Sequence, residues 1–584
     1  MKRRYPFLLP LLGLLLLGNN AFSQNLEQLG LKDEVKNFFT GFKEADPFTI
    51  SGSLGMSSRS YFAFNTLDRQ APFTWSLNAR LNMSIYKIRI PFSAVVSAQN
   101  QTISHPFTQE TVDGFTNRRF MRVGASPYYK WAKVHLGHRN MNFSPFTLAN
   151  HTFLGAGVEL TPGNLRFATF YGGMAKAEPR DLALLGLNRQ IFNRRGFGVK
   201  AGYGTQRDFI DLILFTAHDQ DSQTIPINQD SSTVFRNDNA VLGINGQVTV
   251  FEKVQLKLEI ASSGFTKNAV DPTNDFNRTP IPGFLLTPRT STAYRTAINA
   301  GVNFQLGIVN LGAGYKRIEP EYRSLGTYFF NDDLEDYTIN MSMGILKNKV
   351  RINGSGGLQR NNLFGEKATQ YNRAIGTVNV SYTLNNLNLG ANYSNNSSAI
   401  DYVLNAELDS LNAIVVTNNL GLNAAYTILS QNSNRHLLSL NLSVQDVTDQ
   451  VEDPSRSAAS QMLNAVFSYR YSPKESVWKY NARLSYNQNE LSQMLINRYG
   501  ASLGLDRQLI PDKWSMNLNA NYYFSQGVTR NTQTLTMRIN SPFRINEHHR
   551  LDLGVNYLNR LDSRNTGTGD FQEYIGTINY VYTF

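Results

Sequence analysis

From Phe48 to the C-terminus, apolar and small polar residues take turns in runs of ten or more positions, interrupted by turns. Side chains on a strand point alternately to opposite faces, so each run reads as a strand with one apolar and one polar face. Phe73, Trp75, Leu77, Ala79, Leu81, Met83 and Ile85 alternate with Thr74, Ser76, Asn78, Arg80, Asn82 and Ser84. After Tyr86-Lys87 the pattern resumes at Ile88, Ile90, Phe92, Ala94 and Val96. Further hairpins turn at Pro162-Gly163-Asn164, Phe251-Glu252-Lys253, Lys347-Asn348 and Asn385-Asn386. Trp514, Met516, Leu518, Ala520, Tyr522 and Phe524 make one of the cleanest stretches. About twelve hairpins, a lone first strand over 48–63 and a lone last strand over 571–584 give about 26 strands, range about 24–28. The weakest hairpin passes through Lys130-Trp131-Ala132.

The fold class that follows is all-β. Charged residues are only 17% of the 584-residue chain and aromatics 12%, so its polarity is carried largely by neutral side chains. The absence of cysteine excludes a disulfide scaffold, thiolate-held metals and thiol catalysis. No apolar run after residue 24 approaches the ~18–20 residues of a membrane-spanning helix. Connections alternate between short turns and much longer loops. A soluble sandwich has no reason to sort them so, whereas a transmembrane barrel has short periplasmic turns and long outer loops. In lipid every backbone polar group must be paired, so a sheet spans only if it closes on itself.

Residues 1–23 read as a cleaved signal peptide. Lys2, Arg3 and Arg4 precede an apolar core over Phe7–Leu17, and Ala21 and Ser23 supply the small residues of a cleavage site. Residues 24–47 form a short periplasmic helical segment, with Leu31, Val35, Phe38, Phe39 and Phe42 at helical spacing. Residues 48–584 form the barrel. The last strand, FQEYIGTINYVYTF, puts Tyr574, Ile578, Tyr580, Tyr582 and Phe584 on one face. With its terminal Phe, it resembles the C-terminal signature of Gram-negative outer-membrane β-barrels. That resemblance spans the signal, the alternating pattern and the terminus. It implies a place in the outer-membrane lipid and recognition of Tyr580, Tyr582 and Phe584 by the barrel-assembly machinery. It points to the class and to no single family within it.

A ring of 26 strands spaced roughly 4.8 Å apart and tilted about 40° is about 50 Å across. An empty pore of that width would leak small proteins, so the barrel is flattened or filled. Three segments are candidates to fill it or to dock a partner such as a lipoprotein: the N-terminal helix, the loop over 175–195 with Leu182, Leu185 and Leu187, and the loop over 264–292 with Ile281, Phe284 and Leu285. Each could equally pack on its surroundings. Only about 24 residues separate the cleavage site from the first strand, too few for the plug domain of TonB-dependent transporters.

Strand phase turns Arg80, Arg89, Arg122, Lys133, Arg166, Lys200, Lys257, Arg295, Lys316, Arg351, Lys479, Arg483, Arg498 and Arg538 inward, against Glu159, Asp211, Glu259, Asp506 and Asp552. A basic lumen favours anions, though the same residues also serve a wet interior or hold a plug. His135, His138 and His151 lack a matching carboxylate for a metal site, and no cofactor is expected. No Ser/His/acid cluster stands out by spacing, so no enzyme is expected. The bases are dispersed along strands, which argues against nucleic acid as a partner. The reading is an outer-membrane channel passing solutes or a larger substrate, gated or plugged by loops, the N-terminus or a partner. The alternative is a membrane-anchored scaffold of a secretion, assembly or surface-lipoprotein complex.

Overall fold

The computed structural model describes residues 48–66, 68–100, 118–176, 192–220, 235–274, 280–328, 331–402, 413–430, 434–450, 459–474, 476–491, 494–528, 530–563 and 569–584. The signal peptide and the segment over 24–47 lie outside them. Strands make up almost all of what is described. The first group is β1 (Thr49–Phe64), β2 (Phe73–Ile85), β3 (Ile88–Asn100), β4 (Arg118–Ala125), β5 (Tyr128–Tyr129), β6 (Ala132–Asn140), β7 (Thr152–Leu160), β8 (Leu165–Ala175) and β9 (Asn193–Gly204). Next come β10 (Phe209–Gln220), β11 (Asp238–Val250), β12 (Val254–Thr266), β13 (Thr292–Leu306), β14 (Val309–Ile318), β15 (Leu334–Ile345), β16 (Val350–Arg360), β17 (Thr369–Leu384) and β18 (Leu387–Tyr402). The circuit ends with β19 (Ala413–Leu429), β20 (Arg435–Gln450), β21 (Ser460–Ser472), β22 (Trp478–Leu491), β23 (Met494–Ile510), β24 (Trp514–Gly527), β25 (Asn531–Arg544), β26 (His549–Asp562) and β27 (Phe571–Thr583).

Every neighbouring pair is antiparallel, and β1 pairs with β27 from Ser53↔Thr583 to Phe64↔Gln572, which closes the wall. Gly52 and Phe584 exchange backbone hydrogen bonds of 2.8 and 3.1 Å at the seam of closure. Both β4 and β5 lie between β3 and β6, so they are one stave broken at Ser126-Pro127, and the wall has 26 staves. This break falls in the hairpin whose alternation is weakest in sequence. Tight turns at the terminal end use residues in the left-handed region, among them Tyr86, Glu252, Asn348 and Asn385.

The period-two pattern is resolved by closure. The outward face carries a belt of exposed apolar side chains, including Leu212, Ile339 (67%), Leu484 and Leu503 (69%). Such exposure on so many staves would be untenable in water and is what lipid requires. Aromatic contacts gather at both rims. Trp514 packs edge-on to Phe543 and His549 on Tyr582 at the turn end, while Phe64 meets Tyr574 and Tyr315 meets Tyr337 at the loop end.

Candidate functional site: a two-loop plug against one side of the lumen

Two connections at the loop end fold into the lumen, residues 141–151 after β6 and residues 319–328 after β14. The first contributes Met141, Phe143, Phe146 and Leu148, the second Tyr322 and Leu325. They pack on inward side chains of the wall: Phe153 on β7, Phe170 and Met174 on β8, Phe215 on β10, Val241 on β11 and Ile318 on β14. Phe170 is central, with ring centroids 4.8 Å from Phe153, 6.0 Å from Phe143 and 6.3 Å from Phe215. Each fully buried Phe, Leu or Ile side chain contributes about 1.5–3 kcal/mol. The result is a dry apolar core inside a barrel lumen.

The wall makes room for it. A Cβ at Gly198 would stand 2.8 Å from the rings of Phe143 and Phe170, and one at Gly243 2.9 Å from Thr147. The two loops join through a parallel bridge, Leu148↔Gly326, where a Cβ on Gly326 would meet the Thr147 carbonyl at 2.4 Å. The Tyr322 hydroxyl donates to the Phe146 carbonyl at 2.8 Å, and Ser324 donates to the Thr147 carbonyl. Tyr322 ionises well above the usual phenol range because it is buried and close to Glu259, so it stays a donor.

Polar wall residues clamp the loop backbones. Glu259, on β12, accepts from the Phe146 N–H at 3.0 Å. Asn239, on β11 and fully buried, donates to Ser263 and to the carbonyls of Gly264 and Arg323, and accepts from the Leu325 N–H at 2.9 Å. Charge ties hold the rim of the second loop. Glu321 pairs with Lys267 at 2.5 Å, which keeps its carboxyl below the usual range, and Arg295 donates to the Pro320 carbonyl at 2.8 Å. In the first loop His151 stacks on Tyr328 at 4.3 Å, and burial holds its imidazole below its ordinary value.

The basic residues picked by strand phase divide into two groups. Around the plug they are engaged: Arg166 makes a bidentate pair with Asp211 (2.7 and 2.9 Å), Lys133 pairs with Glu159 at 3.4 Å, and the Lys200 ammonium lies 5.6 Å from the Phe143 ring. Lys257 sits on β12 opposite Gln247 and Gly301, two residues from Glu259. Arg89 reaches the Tyr128 hydroxyl at 3.4 Å, and Arg122 is opposite Val95. Along the later staves the inward face is polar and open. Arg351 lies between Gly344 and Ser381, Arg483 between Ser468 and Ser502, and Arg538 donates to Asn556 at 2.7 Å. Arg80 stands opposite Ser53 and Ser93. Asparagines recur there, with Asn353, Asn379 and Asn392 in register on three successive staves. Asn423 covers Gly390 and Asn392 covers Gly421, amide over bare backbone. In β16–β26 every buried described residue is a glycine, whereas on β7–β15 inward side chains such as Phe153, Phe170, Phe215, Val241, Ala297 and Ile318 are buried against the plug.

The candidate filling loops fall elsewhere. Ile281 and Leu286 pack on Ala240, with Leu242, Leu285 and Tyr294 around them. Ala240 alternates with inward Asn239 and Val241, so this loop lies against the outer wall and not in the lumen; Phe284 at its tip is 86% exposed. Leu182, Leu185 and Leu187 lie outside the described residues. Sequence reasoning missed both plug loops, although Phe143, Phe146 and Leu148 in a loop position are themselves apolar beyond what solvent tolerates. Inward glycines at 196, 198 and 202 were a second signal, since a wall stripped of side chains needs something to fill it.

One polar trio resembles a hydrolytic triad. His135 bonds Ser126 Oγ at 3.1 Å and Glu159 at 2.6 Å. Its accessibility is the reverse of a nucleophile site: Ser126 and His135 are buried, and the carboxylate is the exposed member. Among the described residues no group of three or more His, Asp or Glu is placed to hold a metal ion. At the terminus, Tyr580 and Tyr582 face outward at the turn end, the Tyr580 hydroxyl 2.6 Å from His549 and the Tyr582 ring 5.4 Å from Phe584.

No family model and no curated protein matches the chain. Solved structures similar to it include an E. coli P pilus tip assembly intermediate, PapC-PapD-PapK-PapG (11% identity, TM-score 0.44), covering 91% of this chain and 60% of that one. The siderophore receptor PirA from Pseudomonas aeruginosa (9% identity, TM-score 0.38) covers 91% and 80%, and OpdQ from the same organism (11%, 0.33) covers 68% and 98%. The chain thus spans less than two thirds of the first of these. Its own geometry carries the class: with a closed antiparallel wall, lipid-facing outside, largely polar within and looped long at one end, the chain has the fold of an outer-membrane-type β-barrel.

Proposed function

We propose that this barrel passes polar solutes or a larger polar substrate across the outer membrane along the wall β16–β26, with the two-loop plug controlling the opening. The observation that carries this reading is the contrast within one lumen: a dry core fixed to β7–β15, and an unburied face of Asn, Ser, Thr and Arg on β16–β26. A wall built only to anchor partners has no need of a wetted interior face. Arg351, Arg483 and Arg538 on that face favour anions modestly. The outward Tyr580, Tyr582 and Phe584 suit recognition by the assembly machinery.

Planar bilayer recording tests the proposal. Purified barrel is expected to give discrete conductance steps, and loosening the plug with Phe146→Ala and Tyr322→Ala is expected to enlarge them. A barrel that is silent in both forms while other chains co-purify would replace the channel by the scaffold reading.

A further inference from the structure

Backbone pairing around the wall is uneven, and its weakest place adjoins the plug. β4 meets β6 only at Gly124↔Gly137 and Ala125↔Leu136, and β5 adds Tyr128↔Lys133 and Tyr129↔Ala132. One further backbone bond runs from Val134 N–H to the Pro127 carbonyl at 2.8 Å. By comparison, β22 and β23 pair without interruption from Trp478↔Arg507 to Leu491↔Met494.

Side chains of β6 stand in for the missing ladder. His138 Nδ1 accepts from the Val123 N–H at 3.3 Å. Arg139 donates to the Gly124 carbonyl and, past β4, to Ser93 Oγ on β3 at 2.8 Å. His135 bonds Ser126 in the break itself. A backbone ladder in lipid is costly to open because each freed group is left unpaired. A seam held by side-chain caps on a short strand has fewer such groups to expose.

What lies on either side of the seam gives it a use. Outside are Met121 (63% exposed), Leu136 and Leu154, facing lipid. Inside, Arg139 is opposite Phe153, and β6 runs straight into Met141 and Phe143 of the plug. The apolar core of the lumen is therefore one residue row behind the weakest part of the wall, and the segment that fills it is the continuation of the seam strand.

We infer that the β4–β6 seam is a lateral portal through which an apolar, acyl-bearing group moves between the plug core and the membrane. This goes beyond the polar route proposed above and rests on it only in taking the protein as a transporter. Opening is a sideways parting of β6 from β4 that draws residues 141–151 with it. The ligand class follows from the apolar surfaces at either end of the path, Met and Phe rings on the inside and aliphatic side chains on the outside, while the Arg139 and His135 side chains that cap the seam lie between them and must swing aside as it opens.

The chain has no cysteine, so a cross-seam disulfide can be introduced cleanly. In nanodiscs, amides of Met121–Ala125 and Leu136–Arg139 in the unmodified protein are expected to exchange hydrogen at least about tenfold faster than those of β22 and β23. A benzophenone amino acid in place of Phe143 is expected to label alkyne-tagged phosphatidylcholine on illumination. Oxidising an Ala125→Cys, Leu136→Cys pair is expected to cut that labelling at least about fivefold, while a register-matched Ala482→Cys, Leu503→Cys pair leaves it unchanged. Equal exchange rates, no lipid labelling, or labelling indifferent to the seam disulfide would each overturn the portal. Bilayer conductance measured on the same oxidised and reduced protein judges the polar route separately, because the portal predicts no change in it.

Discussion

The two sides of this lumen are built from the same alternating strands but reach opposite ends. The staves β6–β10 are short, 9 to 12 residues, and beside their paired charges their inward positions include the glycines, alanines and aromatics that accept an apolar filling. The staves β17–β20 run to 16 or 17 residues with inward asparagines and serines that stay wet. Outward faces hardly differ, since both meet the same lipid. The inward face is where one barrel can be half core and half passage, because nothing in closure dictates what the inner side touches.

This contrast can be broken most strongly at the plug. Phe146→Ala or Phe170→Ala is expected to destabilise the packed side by about 3–5 kcal/mol, measured as earlier protease cleavage in 141–151 and larger conductance steps. The same truncation at Tyr523, on the inward face of β24, is expected to leave both readouts near wild type. Next in size is Asn239→Ala, which strands the Leu325 N–H and several carbonyls. A loss of about 1–3 kcal/mol is expected, against under about 0.5 kcal/mol for Asn441→Ala on the wet side, both by denaturant unfolding.

Smaller is the effect of charge. Replacing Arg351, Arg483 and Arg538 together by Ala is expected to move the reversal potential in a salt gradient toward cations. Replacing Arg166 is expected to act on folding instead, since it unpairs the buried Asp211. Acidification should produce the slightest change. His151 has a folded pKa below its unfolded value, so the unfolded loop takes up more protons. The stability this gives is complete above the unfolded value of about 6.5 and is lost as pH falls through the folded one. Cleavage of the plug loops should therefore quicken between neutral and mildly acid pH, and His151→Phe should flatten that dependence.

Much of the wall was legible because lipid enforces a simple rule on every strand. Phe73 to Ile85 and Trp514 to Phe524 announce their faces residue by residue, and the stave number follows from counting turns. The break at Ser126-Pro127 was visible only as a weak hairpin, because the bonds that replace its ladder come from His135, His138 and Arg139 on another stave. Lumen phase was readable for Arg166 or Lys200, but not their fates, since Asp211 and Phe143 lie far off in sequence. Ile281 and Leu286 show the limit most clearly: their apolarity demanded cover, and the outer wall at Ala240 supplies it as well as a lumen would.

What the sequence determined by itself is a sealed cylinder with a greasy outside, because period two and the need to pair every amide leave few other structures in a membrane. Which loops turn inward, and which staves stay wet, was decided only in three dimensions. Those choices depend on matching Phe143 to Gly198 and Gly326 to Leu148, contacts between residues distant along the chain whose fit no local pattern encodes.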